Sequence, residues 1–152
     1  MAWACFSYNE LGPIVFVDKS ITQDEYVNIL AKHFYEWYIN TEKEQGVKLL
    51  LQEDNAPVHK GNYAKWWKQH VGIEIVEWPS KSPDCNPIEN LWDVLDRRVR
   101  KRTPLPTTLD QLKEALKEEW ENIPCEVYQH LVESMDRRVD AIIKNKSFHT
   151  KY

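Results

Sequence analysis

Two short stretches of the 152-residue chain concentrate the side chains able to do chemistry. The first is Gln52-Glu53-Asp54-Asn55-Ala56-Pro57-Val58-His59. Asp54 follows an apolar run at residues 47–52 that is too short for a buried helix and fits a buried central strand. In open α/β sheets, ligands gather in the crevice outside the carboxyl ends of the strands, so a carboxylate there faces a ligand. The same Asp also suits an Asx turn ahead of Pro57, and residue type alone leaves both roles open. The second stretch is Ser82-Pro83-Asp84-Cys85-Asn86-Pro87-Ile88-Glu89-Asn90-Leu91-Trp92. Asn86 is a good N-cap and Pro87 suits the first helical position, which puts Glu89 at the third. A carboxylate there either closes a capping box or faces the crevice beside Asp54, and spacing along the helix does not separate the two.

These residues need elements to position them. Residues 2–8, a turn at 9–13 and a β-branched or aromatic run at 14–17 predict a hairpin. Thr22 and Glu25 form a capping box ahead of Tyr26, Ile29, Leu30, Phe34 and Trp37, at helical spacing to about residue 42. A helix is expected at 61–70, a strand at 73–76 and a loop at 79–87. The helix after Asn86 carries an apolar stripe of Ile88, Leu91, Trp92, Leu95 and Val99, and Pro104 and Pro106 end it. Thr108 caps the next helix, with Leu109, Leu112, Leu116 and Trp120 on one face. Pro124 starts a last helix carrying Val127, Leu131, Met135, Val139 and Ile142. The order ββαβαβα plus two further helices predicts an α/β domain with a mixed sheet.

Composition bounds the function. The net charge of −4 excludes a strongly basic nucleic-acid-binding domain as a global description, though not a local basic patch. Three widely spaced cysteines with no CxxC pair argue against zinc fingers and disulfide scaffolds, and fit reduced thiols in an intracellular compartment. No apolar run is long enough to span a membrane, and no secretory signal is visible. Seven tryptophans favour a packed core.

The two stretches, QEDNAPVH at 52–59 and WPSKSPDCNPIENLW at 78–92, stand with 34 residues between Asp54 and Glu89. In this pairing the chain resembles the catalytic domain of mariner-superfamily DNA transposases, of the Asp-Asp-Glu type. The ending Phe148-His149-Thr150-Lys151-Tyr152 also looks like the terminus of such proteins. The resemblance implies a ribonuclease-H-like mixed sheet flanked by helices, as a single domain over residues 1–152. It implies metal-dependent DNA cleavage and strand transfer, with Mg²⁺ or Mn²⁺ as two ions held by carboxylates, of which Asp54 would be the second and Glu89 the third. The partners it implies are DNA, as transposon ends and target, with a homodimer as an option and neither a membrane nor a small-molecule substrate. The implied location is the nucleus. It begins near Trp3, so the first Asp, its central strand and the helix-turn-helix modules are expected to fall outside this sequence. Asp18 does not match the position of that first Asp. The hairpin is then expected either to pair with the 47–52 strand or to leave an edge open.

Several residues carry weaker signals. Asn55, His59 and Asn90 are expected to support the carboxylates or their turns. Arg97, Arg98, Arg100, Lys101 and Arg102 are candidates for DNA phosphates, although cations also favour a helix C-terminus. Trp66, Trp67, Trp78 and Trp92 suit either base stacking or the core, with Trp92 on the apolar stripe. Asp93 and Asp96 either extend the acidic face or are solvated. The rivals to a catalytic domain are a non-catalytic remnant that binds nucleic acid or itself, and an inert fragment.

Overall fold

Thr22 opens the first helix as its sequence predicts. Its hydroxyl accepts the Glu25 N–H at 3.2 Å and the Glu25 carboxylate accepts the Thr22 N–H at 2.8 Å. The computed structural model describes residues 1–18, 20–76 and 86–144. These gather into two compact units, one of Met1–Trp3 with Val17–Ser82 and one of Ala4–Phe16 with Pro83–Tyr152. Most of the 79–87 loop, Trp78, Cys85 and the 148–152 ending lie outside the described residues.

In the first unit, α1 (Gln23–Ile29) passes through a π-helical turn (Leu30–Phe34) into α2 (Tyr35–Gln45), three residues past the expected end. Gly46, at φ 64°, supplies the left-handed residue that ends it. Tyr26, Val27, Ile29, Leu30, Phe34 and Tyr38 are buried. The wide turn keeps residues four apart, Leu30 and Phe34, on one inward face. Trp3 meets Phe34 edge-on at 5.9 Å. β3 (Leu50–Leu51) runs parallel to β4 (Glu74–Ile75), with the Val76 N–H donating to the Leu51 carbonyl at 2.9 Å. Between them lie α3 (Pro57–Lys60) and α4 (Asn62–His70).

The expected buried strand at 47–52 is corrected here. Only two residues are extended, and Val47 and Leu50 are 52% and 59% exposed. Among the described residues β3 pairs with β4 alone, and the hairpin forms a separate sheet, so β3 keeps an open edge, with Leu50 exposed and Leu51 half-buried.

The second unit holds the hairpin of β1 (Ala2–Phe6), whose first two residues belong to the other unit, and β2 (Leu11–Phe16). The Ser7 N–H donates to the Glu10 carbonyl at 2.8 Å, which tightens the turn and starts β2 earlier than expected, at Leu11. Pro13 is tolerated there because, among the described residues, β2 has one strand neighbour. α5 (Pro87–Arg100) is capped by Asn86, whose side chain accepts the Ile88 N–H at 3.3 Å. α6 (Leu109–Glu121) opens on a capping box between Thr108 and Gln111. The expected last helix is two, α7 (Cys125–Glu133) and α8 (Met135–Lys144), broken where the Ser134 hydroxyl donates to the Leu131 carbonyl at 2.6 Å.

The core of this unit is Leu91, Leu95, Val99, Ala115, Trp120, Ile123 and Tyr128, with Ala4, Phe6, Ile88 and Trp92 packed on it. Two stripes differ from expectation. Leu109 and Leu112 are exposed, and the buried face of α6 is carried by Ala115 and Trp120 further along the helix. In α8 Val139 is exposed and Arg138 is buried, because Arg138 finds partners in the buried Ser134 and the half-buried Asn90. No helix among the described residues is long and apolar enough to cross a membrane.

Candidate active site

Asp54 follows β3 by three residues and stands three residues before Pro57, which sits at the first position of α3. Its Oδ1 accepts the Ala56 N–H at 3.0 Å, the Asx turn that its sequence allowed. The same Oδ1 lies 2.7 Å from His59 Nδ1. The side chain is nonetheless 53% exposed, and Oδ2 has no hydrogen-bond partner among the described residues. The turn and the chemistry are therefore compatible: Oδ1 fixes the carboxylate while the side chain as a whole stays exposed. The His59 ring is held from behind by Tyr26, with centroids 4.5 Å apart.

Glu53 turns the other way. Its carboxylate pairs with Lys68 and accepts the Tyr26 hydroxyl at 2.5 Å. Lys68 is fully buried on the inward face of α4, and its ammonium also donates to the His59 carbonyl at 3.1 Å. The network Tyr26–Glu53–Lys68–His59–Asp54 thus ties α1, α3 and α4 to the turn. Sequence reasoning missed Glu53, Lys68 and Tyr26 as site supports. The available signal was Lys68 four residues after Ala64, on the face that α4 buries.

In the second unit, Glu89 is exposed in the first turn of α5. Asn86 caps Ile88 rather than Glu89. Asn90 accepts from Arg138 Nη2 at 2.7 Å, a support role that ties α5 to α8. Asn55 is half-buried beside Asp54. The arginine cluster is largely engaged: Arg98 bonds Glu119 at 3.0 Å, Arg100 bonds Asp96 at 2.7 Å, and Arg102 bonds Glu118 at 2.6 Å and Glu119 at 2.9 Å. Hydrogen bonds to these carboxylates raise the Arg100 and Arg102 pKa values. Arg97, Lys101 and Asp93 are exposed. Trp92 packs on Trp120 at 5.7 Å.

Among the described residues, no three His, Cys, Asp or Glu side chains converge on one point. The donor chemistry at Asp54, a fixed and exposed carboxylate oxygen, fits a hydrated hard cation, which takes one or two carboxylates and keeps several waters.

Residues 7–113 match the family model described as DDE superfamily endonuclease. The chain is 34% identical over 154 residues to the Transposable element Tcb2 transposase of Caenorhabditis briggsae and 32% identical to the Transposable element Tc1 transposase of Caenorhabditis elegans. Each match covers 100% of this chain and 54% of the relative. The chain thus spans about half the length of the curated relatives it matches. Its fold superposes on the Mos1 transposase catalytic domain, solved with raltegravir and Mn, with a TM-score of 0.84 at 13% identity, over 97% of this chain and 76% of that one. A Mos1 mariner paired end complex with Mn also gives 0.84, over 97% of this chain and 44% of that one. The fold is therefore ribonuclease-H-like, built of mixed helix and sheet, and the chain belongs to the DDE superfamily endonucleases, with Tc1-type transposases among its homologues.

Proposed function

We propose that this chain is the catalytic domain of a DNA transposase, a single domain that cuts and joins DNA strands with divalent metal ions. The observation that carries the reading is Asp54, fixed through Oδ1 by Ala56 and His59 while its side chain stays exposed. Mg²⁺ or Mn²⁺, as two ions, are the proposed cofactors, and Asp54 and Glu89 are proposed to hold them. Bound ions of this kind activate water and stabilise charge on the attacking and leaving oxygens of an in-line displacement. His59 holds the Asp54 carboxylate in one orientation, so that none of the ion's binding energy goes into ordering it. The proposed substrates are transposon ends and target DNA, the proposed assembly is a homodimer, and the proposed location is the nucleus. Arg97 and Lys101 are proposed phosphate contacts, since the other three basic residues of their cluster are paired with carboxylates.

The test is Mn²⁺ binding followed by electron paramagnetic resonance, run beside nicking of supercoiled DNA. Asp54→Ala should abolish both, and Glu89→Ala should weaken both. Unchanged Mn²⁺ binding in Asp54→Ala overturns the reading.

A second reading, a non-catalytic module that binds nucleic acid or itself, draws support from two features. No three metal-binding side chains converge among the described residues, and Leu50 of β3 and Val47 just before it are exposed. It predicts DNA binding or self-association without nicking, unaffected by Glu89→Ala.

A further inference from the structure

Helix α4 buries Ala64 and Lys68, and the half-buried Trp67 meets Tyr35 edge-on at 6.0 Å. At 100° per residue this places Trp66 at the centre of the opposite face, where it is 54% exposed. Packing gives no reason for a tryptophan there, and large exposed apolar groups mark interaction sites more often than scattered small ones do. Trp66 does not stand alone. Tyr63 stacks with it at 5.9 Å with ring planes 16° apart, and His70 at 5.1 Å and 13°. Tyr63 is itself 42% exposed, and its N–H is held by the Gln23 side chain at 3.2 Å. The three rings form an ordered ladder on the solvent face, so little side-chain freedom is left to lose on binding.

Charge selects the occupant. Between Asp54 and Glu74 the chain has no Asp or Glu, although its net charge is −4. Lys60 and Lys65 are exposed in this stretch. Lys68 is spent on Glu53, and the arginine cluster of α5 is largely spent on Asp96, Glu118 and Glu119. Exposed aromatic rings and lysines in a stretch of chain that carries no acid are what single-stranded nucleic acid uses: bases stack and phosphates pair.

We propose that the outward face of α4 is a binding platform for single-stranded DNA, with Tyr63, Trp66 and His70 taking bases and Lys65, joined by Lys60 at the end of α3, taking phosphates. The proposal rests on the reading that this chain works on DNA, and it adds a surface separate from the Asp54 turn.

The test measures fluorescence anisotropy of a short labelled oligothymidylate across a salt series, with melting and sedimentation run on each variant. Trp66→Ala should melt like the parent and bind about tenfold more weakly or worse, since one stacked base is worth about that factor. Trp66→Phe should keep most of the affinity. Lys65→Ala should reduce the slope of log affinity against log salt by about 0.7. Parental affinity in Trp66→Ala overturns the proposal. So does a Trp66→Ala variant that changes only self-association, which would make this face a contact between copies. If Asp54→Ala leaves Mn²⁺ binding unchanged while Trp66→Ala weakens DNA binding, the metal reading fails and the platform stands.

Discussion

Replacing Lys68 with methionine should cost the fold about 3–5 kcal/mol, because it leaves a buried carboxylate without its cation. The side chains of Lys68 and Glu53 are 1% and 12% exposed, so solvent screens little of the loss. Against a total stability of about 5–15 kcal/mol for a domain, that is about a fifth or more. Glu53→Gln should also destabilise, by stranding the ammonium of Lys68. The double variant should recover most of the loss, because the new amide oxygen still accepts the Tyr26 hydroxyl and the methionine side chain fills the space of the lysine stem. What it does not recover is the Lys68 bond to the His59 carbonyl, worth about 0.5–1.5 kcal/mol. Urea denaturation of the four proteins closes the cycle, and a coupling energy of about 2 kcal/mol or more is expected for groups in direct contact. Single losses under about 1 kcal/mol that simply add would refute the reasoning, since they are what a solvated surface pair gives.

Tyr38 has its pKa pushed up to about 12, first by burial and then by a hydrogen bond with Glu42. The folded state therefore favours the neutral phenol, whose stabilisation is complete below pH about 10 and fades as pH rises through about 12. Tyr38→Phe should flatten that alkaline loss, as read from melting temperature against pH. Trp120 donates from Nε1 to the Gly12 carbonyl at 2.9 Å inside the core of the second unit. Trp120→Phe should cost about 1–3 kcal/mol for the stranded carbonyl, and Trp120→Ala about 3–5 kcal/mol, by thermal unfolding. Burial, helped by Glu10, raises the Cys5 thiol well above its usual pKa, whereas Cys125 is exposed. In a Cys85→Ser background at neutral pH, a thiol reagent should label Cys125 promptly and Cys5 only as the protein unfolds.

The helices were legible because their signals are local. Thr22, Asn86 and Thr108 each cap the helix that their sequence announced, since a cap bond spans three residues and needs no distant partner. The stripe of α5 was legible for the same reason. What failed depended on tertiary cover. The apolar residues at 47–52 read as a buried strand, but an apolar run buries only where something lies over it, and Val47 and Leu50 have little. Leu109, Leu112 and Val139 hold stripe positions and stay exposed, while Arg138 goes inside because Ser134 and Asn90 can bond it. Periodicity names a face; only the neighbouring element decides which residues of that face are covered.

The candidate site divides along the same line. Glu53 and Asp54 are adjacent and both acidic, so type and spacing rank them together. Asp54 stood out because a motif named it. Glu53 meets a buried lysine from a helix fifteen residues on and a phenol from a helix that precedes it by twenty-seven. No local rule reports such a meeting. Yet this pair decides how firmly the motif residue is held, because Lys68 reaches the His59 carbonyl and His59 reaches the Asp54 carboxylate. The proposed chemistry rests on the residue that stays exposed, and the fixing of that residue rests on the neighbour that is buried. A loose Asp54 would have to be ordered by its own ligand, whereas one fixed by Lys68 through His59 spends that cost during folding.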